Sequence, residues 1–243
     1  MSTAPPISQP DLPASQFSVP PLQGGDRLTR AEFERRYDAS PWLRKAELIE
    51  GVVYLPSPVK DNQHGVQHFD LNSWLGFYRA LTPGVVGGCE STVRLDLDNE
   101  PQPDSLLRIL PSHGGRAKRS EDGYLEGGPE LIAEVAASSV SYDLHDKLNV
   151  YRRNGVLEYI VWRVLDKQID WFILREGQYE TLTPDANGII RSRTLAGLWL
   201  DAAAMIRGDM ATVMKVLQQG LESTEHAEFV IHLQRATDNP KPS

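Results

Sequence analysis

Glu134 stands inside Leu131-Ile132-Ala133-Glu134-Val135-Ala136-Ala137, with apolar residues for three positions on either side. An ionised carboxylate in such a strand is costly unless it is paired or binds a cation. The plain alternative is a glutamate at a sheet edge or one paired with a structural arginine, and the local sequence leaves both open. Asp104 follows Pro103 and opens a second short apolar strand, thirty residues earlier. Taken alone it reads as a turn aspartate between strands. If the two strands are neighbours, however, Asp104 and Glu134 converge, and paired oxygens with open positions suit Mg²⁺ or Mn²⁺. The expected geometry is two carboxylates close enough to share one cation, on the same face of the sheet.

Other polar side chains carry less. His64 and His68 lie one helical turn apart, but Gly65 stands where a metalloprotease helix needs its glutamate, and no third zinc ligand is evident. Lys147 follows Asp143 by four residues, the spacing of an ordinary ion pair on an exposed helix face, whose loss would cost the fold little. His113 falls in a polar loop, and His145 points away from Lys147 on any helix. Arg152 and Arg153 read as a solvated helix face, although they could meet phosphate. Neither a P-loop nor a G-x-G-x-x-G pattern occurs, and Gly87-Gly88, Gly114-Gly115 and Gly127-Gly128 read as turns.

These residues need a scaffold, which the hydrophobic pattern outlines. Thr29-Arg30-Ala31-Glu32 reads as a capping box opening a helix with Phe33 and Tyr37 on one face. Glu47 to Leu55 reads as one strand with a turn-like glycine, stopped by Pro56-Ser57-Pro58. A helix from about Asn62 to Leu81 carries Leu71, Trp74, Leu75 and Tyr78 at core-facing spacing. Val93, Leu95 and Leu97 alternate with polar residues as in a half-buried strand. Leu106 to Leu110 and Leu131 to Ala137 are apolar strands, separated by a polar loop from Ser112 to Gly128. A helix from Asp143 to Asn154 precedes strands at Glu158 to Val164, Gln168 to Leu174, Gln178 to Leu182 and Gly188 to Thr194, and Asp209 caps a closing helix. Helices mixed with hairpins of this kind make an α/β or α+β sheet domain.

Composition bounds the class. The chain has 243 residues, 40% apolar and 24% charged, long enough to bury one core without disulfides or a structural metal. Its single cysteine, Cys89, cannot form an internal bridge, so a reducing cytoplasm is the expected compartment. No apolar run approaches a membrane span, and no secretory signal opens the sequence. Residues 1–25, with six prolines and one charge, read as a disordered arm; 26–221 as the folded domain; and 222–243 as a polar tail with some helical character. The net charge of −8 means that a polyanionic substrate must be held locally, by a metal, a small basic patch or a basic partner.

Pro103-Asp104 followed by Glu134-Val135-Ala136 resembles the PD-(D/E)XK nuclease superfamily. The wider set is similar to the Uma-two family of restriction endonucleases. It comprises Glu47-Leu48-Ile49-Glu50-Gly51, Pro56-Ser57-Pro58 with His64, Pro101-Gln102-Pro103-Asp104, Gly128-Pro129-Glu130-Leu131-Ile132-Ala133-Glu134-Val135, and Asp143 with Lys147, Tyr151 and Gly155. The resemblance covers roughly Leu28 to Leu200. It implies a restriction-endonuclease-like mixed central sheet flanked by helices, with extra antiparallel strands after the core. It also implies that Asp104, Glu134 and the carbonyl of Val135 hold Mg²⁺, with Mn²⁺ as a substitute, and that Glu47 completes the acidic cluster. The motif lysine two residues after the glutamate is replaced by Ala136, and Lys147 on the following helix matches its substitute. Tyr151 would support Lys147, and His64 would line the rim. Two departures stand out: Ala136-Ala137-Ser138-Ser139 after Glu-Val, and Ile160-Val161-Trp162-Arg163 in a later strand.

The expected function is therefore a Mg²⁺-dependent endonuclease acting on nucleic acid, DNA before RNA, alone, as a homodimer or with a basic partner. The alternative is a nuclease-fold binding or regulatory module without turnover, which the negative charge favours and the intact Asp104, Glu134 and Lys147 oppose.

Overall fold

The computed structural model describes residues 19–55 and 61–238. The strand stop Pro56-Ser57-Pro58, most of the proline-rich arm and the last five residues lie outside them. In chain order the elements are α1 (Arg30–Asp38), β1 (Glu47–Ile49), β2 (Val52–Tyr54), α2 (Gly65–Ala80), β3 (Val85–Cys89), β4 (Val93–Arg94), β5 (Ser105–Ile109), β6 (Lys118–Arg119), β7 (Leu125–Glu126) and β8 (Leu131–Ala136). Helix α3 (Val140–Tyr142) then runs through one π-helical turn (Asp143–Lys147) into α4 (Leu148–Arg153). Strands β9 (Glu158–Arg163), β10 (Gln168–Arg175), β11 (Gln178–Thr181), β12 (Ile189–Arg191) and β13 (Trp199–Asp201) follow, and α5 (Ala202–Ile206), α6 (Met210–Leu221) and α7 (Thr224–Asp238) close the chain.

Six strands form the central sheet in the order β11-β10-β9-β8-β5-β3. It is mixed, because β8 and β9 pair in parallel while the other neighbours are antiparallel. β8 is buried along its whole length and β9 nearly so, as continuous apolar strands covered on both faces must be. Alternation sorts their side chains. Leu131, Ala133, Val135, Ile160 and Trp162 join Leu71, Trp74, Leu75 and Tyr78 of α2 and Val213 and Leu217 of α6. Ile132, Ala136, Tyr159 and Val161 face Val150 and Tyr151 of α4. By period two, Glu134 belongs with Ile132 and Ala136 on the α4 face.

Several local expectations give way to tertiary structure. The stretch from Glu47 to Leu55 is a hairpin rather than one strand, because Glu50 (φ 53°) and Gly51 (φ 70°) make the two-residue turn with both φ positive that suits a tight hairpin. Thr29 caps α1 by position without a side-chain bond, since Glu32 is held by Arg35 and Arg36. Gly87 and Gly88 lie in β3, opposite Leu107 and Leu106, not in a turn. The alternating segment after Val93 pairs only through Val93 and Arg94, and Leu97 is 75% exposed. The loop from Ser112 to Gly128 carries β6 and β7 in a small sheet with β4. At the chain ends, Leu22, inside the proline-rich stretch, is 1% exposed and packs with Phe33, Leu48 and Val53, while α7 buries Leu233 in the main core.

Two buried carboxyls outside the α4 face show how polar groups are settled in this fold. Glu158 is fully buried and accepts from Trp171 Nε1 (2.9 Å), Ser192 Oγ (3.0 Å) and the backbone N–H groups of Arg193 and Thr194 (2.7 Å each). It ties the segment after β12 to the sheet, and α6 seals that segment by laying Gly220 on Gly197, where a Cβ would stand 2.2 Å from the Gly197 carbonyl oxygen. Glu100 is less well provided: Arg94 Nε lies 2.7 Å from Glu34 Oε1 but 3.9 Å from Glu100 Oε2. Burial, and next the neighbouring Glu34 carboxyl, push Glu100 up to about 8 against the pull of Arg94 and Arg30.

Glu158→Ala should cost about 3–5 kcal/mol, because it strands several buried donors, and chemical denaturation with circular dichroism detection reads that loss. The Glu100 carboxyl binds its proton more tightly in the folded chain. Its contribution is full below the ordinary value of 4.5 and lost as pH rises to about 8. The melting temperature of Glu100→Gln should therefore gain on the wild type between pH 5 and pH 8 and hold that gain at higher pH; a constant difference across this range would show that Glu100 does not titrate there.

Candidate active site

The end of the central sheet brings the polar residues together. β5 pairs with β8 only as far as Ser105 opposite Ala133, so Val135 lies beyond the last backbone partner on that side. The Asp104 side chain takes over: its Oδ2 accepts from the Val135 N–H at 2.8 Å. In return the Asp104 N–H donates to Glu134 Oε2 at 3.2 Å. The two carboxyls are thus locked side by side through each other's backbone. Glu47 reaches the same place from the start of β1, where its Oε1 accepts from the Gln102 N–H at 2.7 Å.

Lys147 enters from the other side. The π-helical turn Asp143–Lys147 widens the helix by one residue, and Asp143, Lys147, Val150 and Tyr151 all face inward. Lys147 Nζ lies 2.9 Å from Glu134 Oε1, 3.0 Å from Glu47 Oε1 and 3.8 Å from Asp143 Oδ1. The Tyr151 hydroxyl donates to the same Glu134 oxygen at 2.9 Å. The helical spacing of Asp143 and Lys147 does form a pair, but not the exposed one expected: Lys147 is 4% exposed and Glu134 3%. The expectation that losing Lys147 would cost the fold little therefore does not hold, since its removal leaves buried carboxylates unpaired.

At the rim, His64 Nε2 lies 3.1 Å from Asp104 Oδ2 and Lys45 Nζ 3.7 Å from Asp104 Oδ1. His68 Nε2 stands 2.8 Å from the Asp104 carbonyl oxygen, which also accepts from the Glu90 N–H. Both histidines thus spend their Nε2 atoms on Asp104 rather than converging on a zinc ion. His145 is exposed, Arg153 pairs with Glu50, and Arg152 donates to the Gly177 carbonyl. The local sequence does not single out Lys45, two residues before Glu47, or the role of His68; only the meeting of α2 with the start of β5 supplies their partner.

The charges are unbalanced. Three carboxyls, from Glu47, Glu134 and Asp143, lie within 4 Å of the buried Lys147 ammonium, and a fourth, Asp104, stands beside Glu134 with His64 and Lys45 on its outer side. Burial raises the Glu134 carboxyl, Lys147 opposes this, and the charges of Asp104, Asp143 and Glu47 leave it at about 8. Burial also raises Asp143. Asp104 goes the other way: burial would raise it, but the His64 hydrogen bond and charge, Lys45 and the Val135 N–H together hold it well below the usual carboxylate range. The bond to Asp104 in turn raises His64. Burial disfavours the charge of Lys147, yet Glu134, Glu47 and Asp143 outweigh it and keep it protonated. The strain falls on the surplus carboxylate, and one more cation would relieve it.

Among the described residues, no group of three or more His, Cys, Asp or Glu side chains is arranged as a metal site. The donors that could take a cation are Asp104 and Glu134, which stand side by side, with the Val135 carbonyl in the same segment; a cation there would share Glu134 with Lys147 and Tyr151. Two carboxylates and a carbonyl are a hard oxygen set of the kind that suits Mg²⁺, which keeps several waters and takes only one or two protein carboxylates.

One solved structure, titled as a putative nuclease belonging to DUF820 from Anabaena variabilis, superposes with a TM-score of 0.50 over 74% of this chain and 99% of that one, at 15% identity. At that identity the likeness concerns the fold: a mixed sheet flanked by helices, with additional antiparallel strands. No curated protein matches the chain. The profile of the Uma2 family, described as "Putative restriction endonuclease", matches residues 30–203, a span that begins with α1, ends in α5 and contains every residue of the cluster. The chain belongs to the Uma2 family of restriction-endonuclease-like proteins.

Proposed function

We propose that this chain is a Mg²⁺-dependent endonuclease that hydrolyses phosphodiester bonds in nucleic acid, with DNA the favoured substrate. The observation that carries the reading is the buried Lys147 ammonium within 3.0 Å of both Glu134 and Glu47, beside an Asp104 held against the next residue of the same strand. Asp104, Glu134 and the Val135 carbonyl would seat the metal. When bound, Mg²⁺ would offset charge on the phosphate and acidify a water.

The protein's own groups do the rest. Lys147 carries a fixed positive charge at the acidic centre, able to orient the attacking water or a phosphate oxygen. Tyr151 and Glu47 hold Lys147 and Glu134 in register. His64 and Lys45 place further positive charge on the outer side of Asp104, where the substrate phosphate would arrive. In the reaction a water oxygen bonds to phosphorus, the bond from phosphorus to the leaving oxygen breaks, and that oxygen takes up a proton. With a net charge of −8, affinity for the polyanion must come from this local cationic zone and the metal, or from a basic partner or second copy. Cys89 is a free thiol, which suits a cytoplasmic enzyme. No helix among the described residues is long and apolar enough to cross a membrane.

Cleavage assays with Mg²⁺ and Mn²⁺ on supercoiled, linear and single-stranded DNA and on RNA test the reading. Asp104→Asn and Glu134→Gln should lose metal-dependent turnover together with calorimetric Mn²⁺ binding. Lys147→Met should keep Mn²⁺ binding but lose on the order of 10²–10³-fold in turnover. Because it removes one partner of a buried cluster, it should also cost about 3–5 kcal/mol of stability, part of which Glu47→Gln restores. A Lys147→Met protein that still folds and cleaves normally would refute the role of that lysine, and a wild type inert on every substrate would favour a binding module. Without metal, binding to duplex DNA should be weak and fall steeply with salt; tight metal-free binding at physiological ionic strength would place the affinity elsewhere.

A further inference from the structure

Between α2 and the edge strand β3 lies a groove of about 220 Å³, lined by Asn72, Gly76, Arg79, Gly87, Gly88 and Cys89, with Leu106 and Leu107 as its floor. One end of it lies beside the start of β5. Ser105, next in sequence to Asp104, donates to Asn72 Oδ1 at 3.0 Å, and Cys89 Sγ donates to the same oxygen at 3.0 Å. Asn72 follows His68 by one helical turn, and His68 touches the Asp104 carbonyl. The groove wall at Asn72 thus contacts Ser105, the residue that follows Asp104.

Its chemistry is distinct from the rest of this acidic chain. No carboxylate lines it, whereas the whole protein carries a charge of −8. The Asn72 Oδ1 accepts from both donors, and its amide N–H groups have no partner among the described residues. Arg79, one turn beyond Gly76, is exposed, and its guanidinium likewise has no partner among the described residues. Phe69, three residues before Asn72 on α2, is 73% exposed. Gly76, Gly87 and Gly88 leave the walls without side chains, and a Cβ on Gly76 would meet nothing within 4 Å.

A stacking ring, a free amide donor, a free guanidinium and glycine walls are the elements of a site for one nucleotide. The space is below the roughly 300–1,000 Å³ of drug-sized ligand pockets, suited to a single base and too small for a base pair with its backbone. We propose that this groove holds an unpaired base adjoining the scissile phosphate, with Phe69 stacking on the strand and Arg79 meeting a phosphate, so that the preferred substrate is single-stranded or locally opened nucleic acid. The inference rests on the endonuclease reading of the carboxylate cluster and names the form of its substrate.

Cys89, the sole cysteine, reports on occupancy without any need for turnover. In EDTA at low salt, a saturating short oligothymidylate should slow alkylation of Cys89 by N-ethylmaleimide about tenfold or more, as read by mass spectrometry, while a duplex of equal length should not. An oligouridylate arm separates RNA from DNA. Gly76→Leu, which fills the groove, and Arg79→Glu should each weaken oligothymidylate binding about tenfold by fluorescence anisotropy. Phe69→Ala should do the same, the size expected for one lost stack. The proposal is overturned if Cys89 reacts equally fast with and without saturating oligonucleotide, if the duplex protects it as well, or if Gly76→Leu binds like the wild type. A Gly76→Leu variant that only converts a dimer to a monomer in gel filtration would make the groove a contact between copies instead. Protection of Cys89 in a protein that cleaves nothing would sink the endonuclease reading and leave the groove. Cleavage that Gly76→Leu leaves unchanged on single strands would do the reverse.

Discussion

The Lys147 ammonium sits in the interior between Glu47 and Glu134, within reach of Asp143, and the neighbouring structure is arranged around that charge. A buried lysine is tolerable only if several partners repay its lost hydration, and here they come from β1, from β8 and from its own helix turn. Each partner constrains an element. The hairpin must present Glu47 at its first residue, β8 must place Glu134 on the α4 face, and the helix must widen by a π turn to point Lys147 inward. Repaying the lysine this way leaves more carboxylate than ammonium around it.

The sheet accomplishes the rest by stopping short. Because β5 ends its pairing at Ser105, the Val135 N–H would be left without a backbone partner. Asp104 fills that gap with a carboxylate oxygen, and Glu134 answers by accepting from the Asp104 N–H. A structural need, capping a truncated ladder, thereby fixes two acidic side chains next to each other in the interior. By contrast, Glu158, one strand over, is just as buried but is satisfied by four donors, and its role is to hold a loop. Burial alone therefore does not distinguish the two carboxylates; the number and kind of their donors do.

The overall acidity fits a chain whose interaction with a polyanion is concentrated in one place. His64, Lys45 and Lys147 gather at the carboxylates, and the adjoining groove between α2 and β3 carries no acid and ends in Arg79. Edge strands normally need protection, and the glycines of β3 lower its protection rather than raise it. A close approach of something other than a second strand gives those glycines a reason to be there.

Much of this was legible along the chain. The apolar runs around Glu134 and after Asp104 identified two strands, the spacing of Leu71, Trp74, Leu75 and Tyr78 marked a core-facing helix, and the resemblance of Pro103-Asp104, Glu134 and Lys147 to a nuclease family named the residues that the fold brings together. Those features are local, since period and composition are properties of short segments. What only the tertiary structure decided was long-range: that Lys147 is buried rather than exposed, that His64 and His68 both serve Asp104 instead of a zinc ion, that Lys45 belongs to the site, and that Gly87-Gly88 is an edge strand. In each case the deciding partner lies on another element, from 13 residues away for Lys147 and Glu134 to 59 (104 − 45) for Lys45 and Asp104. A side chain's neighbours across such gaps are set by how strands and helices pack, and no pattern within a single segment encodes them.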